Sequence, residues 1–383
     1  MNDNLELVKI TRDLINSSLQ GQITFADYME SVLYHPQYGY YASSADRISQ
    51  SGDFLTSPHL APDFGEMIAI QLVQLWEILG SPSVFSLVEM GAGQGLLAEQ
   101  ILTHIEQKCP EFFKAIEYLI IEASPAMIIA QKQRLSNFSI RWCQWAEIDD
   151  NSIVGCFLSN ELIDALAVHQ VITVDGKLQE VYVAIENDQL VEQIDEVSTD
   201  RLNEYWQLNQ INLLTNRYPN NYRTEVNLAA LDWLKTISEK LYQGYILSID
   251  YGYTADRYYN PMRSQGTLQC YYQHSYHNDP YINIGNQDLT THVDFTAIQT
   301  YGEKLGLNSV GINQQALFLM ALGLGDRIAA ISNGTGDMKK LLDRRQSLHQ
   351  LIDPMGLGKF WVLLQSKGLT PIQTAISITG YSY

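Results

Sequence analysis

The stretch SLVEMGAGQGLLAEQIL, residues 86–102, constrains the fold more than any other part of the sequence. A short apolar run that contains Glu89 leads into Gly91, Gly93 and Gly95, and an apolar-periodic helix follows. A strand, a glycine turn and a helix in this order can hold a nucleotide at the N-terminus of the helix. A tight turn without a ligand is the alternative. The stretch predicts the first strand and helix of an α/β sheet.

Four apolar runs extend this pattern along the chain. They end in small or polar residues and occupy 84–91, 118–124, 153–162 and 244–252. Parallel strands that are buried on both faces have this composition, and their carboxyl ends meet at a ligand crevice. We therefore expect a doubly wound, Rossmann-like α/β domain.

The segments around these runs predict a three-part organisation. Residues before the first run are mostly helical in periodicity, with one long irregular loop. The segment after the third run alternates like antiparallel strands, with a turn at Asp175-Gly176. We expect an N-terminal helical cap and loop over 1–83, a core over 84–166 plus 244–383, and an inserted α+β substrate or lid subdomain over 167–243.

The glycine spacing predicts the cofactor. Nicotinamide dinucleotide folds use G-x-G-x-x-G, whereas here the third glycine comes one residue earlier and an acid precedes the first. That carboxylate repels a diphosphate and suits a cationic or amino-bearing ligand. S-adenosylmethionine carries a sulfonium and an amino group but no phosphate, so we expect it to bind at Glu89, Gly91, Ala92, Gly93 and Gly95. A nicotinamide dehydrogenase is the competing hypothesis.

The second run, YLIIEAS, supports this cofactor. It ends at Glu122, where a carboxylate can accept hydrogen bonds from two ribose hydroxyls. A solvated acid at a strand end is the alternative interpretation of Glu122.

The third run ends in SNELIDALAVHQ and indicates the class of methyl acceptor. Methyltransferases of nucleic-acid bases carry an N/D-P-P-aromatic turn at this point, whereas this chain has Asn160, Glu161 and Asp164. Carboxylates can hold a guanidinium with paired hydrogen bonds worth about 1.5–3 kcal/mol. Guanidinium stays protonated at neutral pH, so methylation of it needs coupled proton loss. Alternatively, Glu161 and Asp164 only cap the following segment. Asn160 is also a candidate cofactor ligand.

The fourth run places Asp250 at the same crevice, before a long aromatic loop. That loop is either a lid or peptide channel, or a packed surface loop. His274 and His292 are candidate acid–base or positioning residues, although each can instead be a structural histidine. Asp294 is expected to cap the helix that follows it.

Charge and cysteine content exclude several classes of protein. The chain has 43 acidic and 24 basic residues, a formal net charge of −19, which disfavours a nucleic-acid substrate and favours a basic partner. The four cysteines have no paired spacing, so we expect no metal site. No window approaches 18 apolar residues, which predicts no membrane insertion. The N-terminus lacks a recognisable leader, and the expected location is cytoplasmic.

Motifs along nearly the whole chain resemble the MidA family of methyltransferases. They are ITFADYMESVLYHPQYGYYA, GDFLTSPHLAPDFGEMIA, LVEMGAGQGLLA, SNELIDALAVHQ, LSIDYGY, GTLQCYYQH and DLTTHVDF. The resemblance implies a seven-stranded class I methyltransferase sheet whose last strand is antiparallel, closed by strands at 307–312 and 360–366. It also implies that the GDFLTSPH loop, with Thr56, Ser57 and Pro58, folds over the cofactor.

A mitochondrial member of that family methylates an arginine of a respiratory-complex subunit. The resemblance therefore implies a protein substrate with a basic, arginine-containing segment, and it leaves open whether this chain shares that respiratory target. The leading hypothesis is an S-adenosylmethionine-dependent methyltransferase that acts on a protein arginine nitrogen. The alternative is a cofactor-binding assembly factor with little or no turnover.

Overall fold

The computed structural model describes residues 3–42, 56–273, 275–332 and 337–382. The α-helices are, in chain order, α1 Leu5–Ser17, α2 Phe25–Tyr34, α3 Ser57–Leu60, α4 Asp63–Ile78, α5 Leu96–Lys108, α6 Pro110–Ala115, α7 Pro125–Arg134, α8 Arg201–Asn209, α9 Leu228–Lys240, α10 Ala255–Tyr258, α11 Phe295–Lys304, α12 Gln315–Ala321, α13 Leu324–Ser332, α14 Met338–Leu351 and α15 Pro371–Thr374. Short 3₁₀ segments cover Trp145–Glu147, Ile163–Ala165, Leu357–Lys359 and Thr379–Tyr381.

The strands are β1 Gln22–Thr24, β2 Phe85–Met90, β3 Ile116–Ile121, β4 Ile140–Cys143, β5 Ile153–Asn160, β6 His169–Val174, β7 Lys177–Glu186, β8 Gln189–Asp195, β9 Arg223–Val226, β10 Leu241–Asp250, β11 Gly252–Tyr253, β12 Gln269–Tyr272, β13 Ser275–His277, β14 Asp288–Thr290, β15 Val293–Asp294, β16 Asn308–Gln314 and β17 Trp361–Lys367. The four apolar runs of the sequence correspond to β2, β3, β5 and β10, which confirms the predicted α/β fold.

The chain divides into two compact units. We call one the seven-stranded unit, which comprises Ile48–Leu162, Thr236–Tyr251 and Gly302–Tyr383. The other, the five-stranded unit, comprises Met1–Arg47, Ile163–Lys235 and Gly252–Tyr301. The N-terminal residues group with the inserted strands, because β1 pairs antiparallel with β7. The functional division over 1–83, 84–166 plus 244–383, and 167–243 stays a prediction.

The seven-stranded unit contains the sheet that the resemblance implied. Its strand order is β16-β17-β10-β5-β2-β3-β4. Strands β10, β5, β2, β3 and β4 run parallel, whereas β17 is antiparallel to both β10 and β16. The expected closing strands correspond to β16 and β17. A class I methyltransferase sheet with an antiparallel last strand is therefore confirmed.

Strand β2 lies between β5 and β3 in this sheet and is buried along its whole length. Helices α4 and α5 contribute to the same core: Leu72 and Ile101 are fully buried in one cluster with Leu87. Full burial of such a side chain contributes about 1.5–3 kcal/mol. The core therefore holds the carboxyl end of β2, where the glycine loop begins, in a fixed position.

The five-stranded unit is built on antiparallel strands. Its main sheet has the order β1-β7-β6-β9, with β8 also paired to β7. The predicted hairpin turn joins β6 to β7, with positive φ at Asp175 (48°) and Gly176 (76°). Helix α2 begins at a capping box formed by Thr24 and Asp27. Smaller sheets, β13-β12-β14 and β11-β15, complete this unit.

Within the described ranges, no helix has the length and apolar character needed to cross a membrane.

Candidate functional site

The glycine loop follows β2 and adopts a backbone that favours glycine. Gly91 and Gly93 have φ values of 63° and 52°, in the left-handed region that side chains disfavour. A Cβ on Gly91 would lie 2.8 Å from Leu162 Cδ1, whereas a Cβ on Gly93 meets no described atom within 4 Å. The Gly91 amide also donates to Ile121 O at 3.1 Å, which ties the loop to the end of β3. The loop is packed on one side and open at Gly93.

Glu89 lies on β2, two residues before Gly91, and is almost completely buried. Tyr118 Oη donates a hydrogen bond to Glu89 Oε2 at 2.7 Å. Burial raises the pKa of Glu89 to about 7, the bond from Tyr118 opposes that shift, and the charge of Glu122 adds to it. The carboxyl group therefore changes its protonation state near neutral pH, and its expected contact with an amino-bearing ligand stays a prediction.

Glu122 directly follows β3, on the sheet edge where the sequence places it. Its Oε1 accepts from the Ser124 amide at 2.9 Å, and its Oε2 accepts from Gln131 Nε2 at 3.0 Å. Burial raises the pKa of Glu122, and these hydrogen bonds oppose the shift. The carboxylate is held at the carboxyl end of the sheet with capacity for further donors.

Sequence reasoning missed Gln131. This residue lies on α7, is fully buried, and also donates to the Gly93 carbonyl at 2.8 Å. Its position four residues after Met127, on the buried face of the helix, is the signal that could have identified it. A glutamine at such a position needs internal hydrogen-bond partners, and here the partners are the two elements expected to bind the cofactor.

Hydrogen bonds hold Thr56, Ser57 and Pro58 at the start of α3. Ser57 Oγ donates to Gln315 Oε1 at 3.2 Å, and Gln100 Nε2 donates to the Pro58 carbonyl at 2.7 Å. Thr56 Oγ1 lies 2.8 Å from His59 Nδ1. The first four residues of the GDFLTSPH motif, 52–55, lie outside the described residues. The start of α3, which follows these four residues, is held by the buried side chains of Gln100 and Gln315.

The end of β5 carries two of the expected acceptor residues. Glu161 has a left-handed backbone, with φ of 52°, and its amide donates to Ile249 O at 2.9 Å. Asn160 Nδ2 donates to Glu161 Oε1 at 3.1 Å. Within the described part of the chain, Asn160 Oδ1 is buried and has no hydrogen-bond partner. A buried acceptor of this kind suits a donor group supplied by a ligand.

Asp250 is the last residue of β10 and is fully buried. Its Oδ1 accepts from the Tyr251 amide at 2.8 Å. Because β10 pairs in parallel with β5, with Ile249 opposite Asn160, the sheet brings Asp250 to the same edge as Asn160 and Glu161. The predicted convergence of these strand ends is therefore present in the seven-stranded unit.

Asp164 belongs to the five-stranded unit and has a separate setting. It is buried, in the 3₁₀ segment Ile163–Ala165, and its carbonyl accepts from the Thr291 amide at 2.9 Å. Tyr41 Oη donates to Asp288 at 3.0 Å. Burial raises the pKa of Tyr41, and the charges of Asp288 and Asp164 contribute to the shift. Asp288 and Tyr41 were not singled out from the sequence, although both lie in the motifs that carry the resemblance.

The histidine expectations have different outcomes. His274 lies outside the described residues. His292 stacks on Tyr253, with ring centroids 5.0 Å apart. Asp294 Oδ1 accepts from the Ala297 amide at 3.2 Å, as expected of a helix cap, and Tyr205, Asn209 and Tyr259 donate to Oδ2. Of the described residues, no group of three or more His, Cys, Asp or Glu side chains could hold a metal ion.

These residues fit S-adenosylmethionine. The backbone at Gly93 is open to close approach, Glu122 offers carboxylate oxygens for ribose hydroxyls, and Asn160 Oδ1 offers a buried acceptor to an amino group.

Curated relatives align with most of the chain. "Protein arginine methyltransferase NDUFAF7 homolog, mitochondrial" from Drosophila melanogaster is 28% identical over 368 residues, covering 88% of this chain and 80% of the relative. The Caenorhabditis elegans protein of the same name is 27% identical over 374 residues, covering 90% and 83%. The human protein arginine methyltransferase NDUFAF7 is 25% identical over 382 residues, covering 91% and 81%.

The names of these relatives overturn one expectation. The sequence predicted a cytoplasmic protein from its N-terminus, but the aligned curated relatives are named as mitochondrial proteins. The prediction of a cytoplasmic location is therefore wrong by this comparison. A targeting leader is a segment separate from the folded core, and the folded core determines the similarity to these relatives. The N-terminal residues were therefore a weak basis for predicting the location.

A solved structure gives the same fold with a ligand. The crystal structure of a Burkholderia thailandensis protein bound to S-adenosyl-homocysteine has a TM-score of 0.84 and 29% sequence identity. The match covers 97% of this chain and 95% of that chain. S-adenosyl-homocysteine is the product that S-adenosylmethionine becomes when its methyl group is transferred.

A family profile spans most of the residues described above. It matches residues 67–313, and the family is described as "Putative S-adenosyl-L-methionine-dependent methyltransferase". This range includes β2 and its glycine loop, Glu122, Asn160, Glu161 and Asp250. The chain belongs to this family of S-adenosylmethionine-dependent methyltransferases.

Proposed function

We propose that this methyltransferase acts on an arginine side-chain nitrogen of a protein. The observation that carries the proposal is Glu161, a carboxylate held in a left-handed backbone conformation directly after β5. Such a conformation costs a non-glycine residue about 1–2 kcal/mol and persists where the surroundings fix it, often at binding sites. The relatives named protein arginine methyltransferases support arginine as the acceptor.

Glu161 is well placed to orient a guanidinium near the cofactor loop. Strand β5 pairs with β2, with Ser159 opposite Met90, so the residues after both strands share one edge of the sheet. A carboxylate can accept two parallel N–H bonds from a guanidinium. We assign Glu161 to orienting the acceptor and Asp250 to closing the site, and Asp164 stays a candidate for orienting the acceptor on sequence grounds. His274 stays a candidate acid–base residue on sequence grounds.

The reaction places defined demands on this chain. When bound, S-adenosylmethionine supplies an electrophilic methyl carbon: the acceptor nitrogen forms the N–C bond, the S–C electron pair returns to sulfur, and the nitrogen loses one proton. A positioned carboxylate favours that proton loss while it holds the guanidinium in line. The cofactor would be held by Glu122 at the ribose, by Asn160 at the amino group, by Glu89 on β2, and by Thr56–Pro58 at the start of α3.

The acceptor segment is expected to be basic. The net charge of −19 attracts positively charged peptides and disfavours nucleic acid. A respiratory-complex subunit remains a candidate partner on the basis of the MidA resemblance. Mass spectrometry of methylated arginines in cells with and without this protein identifies the target.

The test of the arginine proposal uses Glu161→Gln in the purified full chain. We expect labelled methylarginine when the wild-type protein is incubated with labelled S-adenosylmethionine and arginine-containing basic peptides. Glu161→Gln should lower kcat by about 100-fold or more, because removal of one positioned catalytic-site group has an effect of this size. Binding of S-adenosyl-homocysteine, measured by calorimetry, should change little.

Glu111→Gln is the matched control, since Glu111 is an exposed acid on α6 that pairs only with Lys114 among the described residues. Full activity of Glu161→Gln would contradict the assigned role. Labelled product on lysine, or on a small molecule, would contradict arginine as the acceptor. Cofactor binding without any labelled product from any extract would instead favour an assembly factor with little turnover.

A further inference from the structure

One fully buried amide, that of Gln131, joins three elements of the seven-stranded unit. Its Nε2 donates to the Gly93 carbonyl at 2.8 Å and to Glu122 Oε2 at 3.0 Å. Its Oε1 accepts from Trp142 Nε1, on β4, at 2.9 Å. Because an indole N–H can only donate, Trp142 fixes which end of the amide is the acceptor. The NH₂ end of Gln131 must therefore face the glycine loop and the acid.

This arrangement fixes the orientation of the Glu122 carboxylate. One oxygen accepts from the Ser124 amide and the other accepts from Gln131. Each carboxylate oxygen can accept more than one hydrogen bond, so each retains capacity for an outside donor. These two donors, together with the Ala123 amide, also favour the ionised form, against the burial that raises the pKa of this group. An ionised carboxylate with a fixed orientation can accept hydrogen bonds from two neighbouring hydroxyl groups of a ribose.

The same amide sets the position of the glycine loop relative to that acid. Gly93 is the loop residue whose Cβ position is open, and its carbonyl is tied to Gln131. A ligand that touches both the loop and Glu122 requires their separation to be correct. The Gln131 amide holds the loop and Glu122 at this separation before a ligand arrives. Neither of them therefore has to be ordered when the ligand binds.

We propose that Gln131 is the positioning residue of the cofactor site, holding Glu122 and the Gly93 loop in the arrangement that accepts the ribose hydroxyls. It acts through Glu122 and touches no reacting atom. The inference rests on the assigned role of Glu122 in ribose binding and deepens it.

The test is Gln131→Met, which keeps the length of the side chain and removes the amide. Calorimetry measures binding of S-adenosyl-homocysteine and of its analogue that lacks the ribose 2′-hydroxyl. Wild-type protein should bind the analogue about ten-fold more weakly, the usual loss for one hydrogen bond to a charged group. Gln131→Met should bind S-adenosyl-homocysteine about ten-fold more weakly, and should discriminate between the two ligands by a smaller factor.

Two further variants keep the test decisive. Gln71→Met makes the same change at another fully buried glutamine, on α4, which donates to Gln74 and accepts from the Gly380 amide. Gln71→Met should discriminate between S-adenosyl-homocysteine and the analogue as strongly as the wild-type protein does. It therefore controls for a general loss of packing. If Gln131→Met fails to fold, Trp142→Phe removes only the indole donor and should reduce discrimination in the same direction by a smaller factor.

The outcomes separate this inference from the proposed function. Equal weakening of both ligands by Gln131→Met would overturn it, because the residue would then support only the general packing of the site. Wild-type protein and Glu122→Gln binding both ligands equally well would overturn the role of Glu122 and this inference together, and leave methyl transfer intact. Arginine methylation is measured separately, so its failure does not alter the result of the binding test.

Discussion

At the scale of single residues, the most informative observation is that acids near the glycine loop differ in their environment. Glu89 is buried against Tyr118, and its pKa is raised to about 7. Glu122 accepts hydrogen bonds from Ser124, Gln131 and the Ala123 amide, which oppose the effect of burial on its pKa. Sequence reasoning treated both as carboxylates facing a ligand. The neighbours that distinguish them, Tyr118 and Gln131, are 29 and 9 residues away in the chain.

The raised pKa of Glu89 predicts a pH dependence of stability. A carboxyl whose pKa is higher in the folded state than in the unfolded state binds its proton more tightly when folded, so its contribution is fully present below about pH 4.5 and is lost as the pH rises to about 7. Glu89→Gln removes this titration. We expect the free energy of unfolding of the variant, relative to wild type, to increase between pH 5 and pH 7 by a few kcal/mol, on the order of 3 at most.

Urea denaturation of both proteins at several pH values measures this difference. Glu111→Gln, on the exposed surface of α6, controls for the loss of one negative charge. A difference between Glu89→Gln and wild type that stays constant from pH 5 to pH 8 would show that Glu89 does not titrate in this range.

At the scale of elements, the glycine loop has two separable requirements. Gly93 has a positive φ and open space, whereas Gly91 has a positive φ and a close neighbour, because a Cβ added there would lie 2.8 Å from Leu162 Cδ1. An alanine at a position with positive φ strains the backbone and lowers the stability of the fold. An alanine whose methyl group fills the space that a ligand approaches lowers the affinity for that ligand. Alanine substitutions at suitably chosen glycines can therefore separate the two effects.

Gly93→Ala and Gly80→Ala form a matched pair for this purpose. Gly80, after α4, also has a positive φ (87°) and no described atom within 4 Å of a Cβ. Each alanine should destabilise the protein by about 1–2 kcal/mol, because both backbones are left-handed. Only Gly93→Ala should weaken binding of S-adenosyl-homocysteine, by about ten-fold or more, since its methyl group occupies the space that a ligand approaches.

Thermal denaturation and calorimetry measure the two effects independently. If Gly80→Ala weakened binding as much as Gly93→Ala, the loss would come from stability, and the loop would have no special role in holding the cofactor.

At the scale of the whole molecule, the fold could be predicted from the sequence more completely than the candidate site. Strands β2, β3, β5 and β10 follow from their apolar runs, because burial on both faces requires that composition. The pairing of β1 with β7 could not be predicted, since the three residues Gln22–Thr24 show no periodicity and their partner is distant in sequence. Gln131 and Asp288 were missed for the same reason: their importance comes from contacts that only the folded chain creates.

The net charge of −19 leads to a prediction for the complete protein with its acceptor. Long-range attraction between an acidic surface and a basic peptide is screened by salt, with a Debye length of about 10 Å at 0.1 M. We therefore expect KM for a lysine-flanked arginine peptide to rise several-fold between about 0.05 M and about 0.5 M salt. The kcat value should change little, because groups at van der Waals contact at the reacting centre are screened much less.

A peptide with the same arginine and alanine in place of the flanking lysines is the control. Its KM should be higher at low salt and should depend less on salt concentration, so that the two peptides converge at high salt. Parallel salt dependence of both peptides would mean that the acidic surface does not select basic segments. The acceptor would then be recognised by the arginine alone, through carboxylates such as Glu161, rather than by the field of the whole protein.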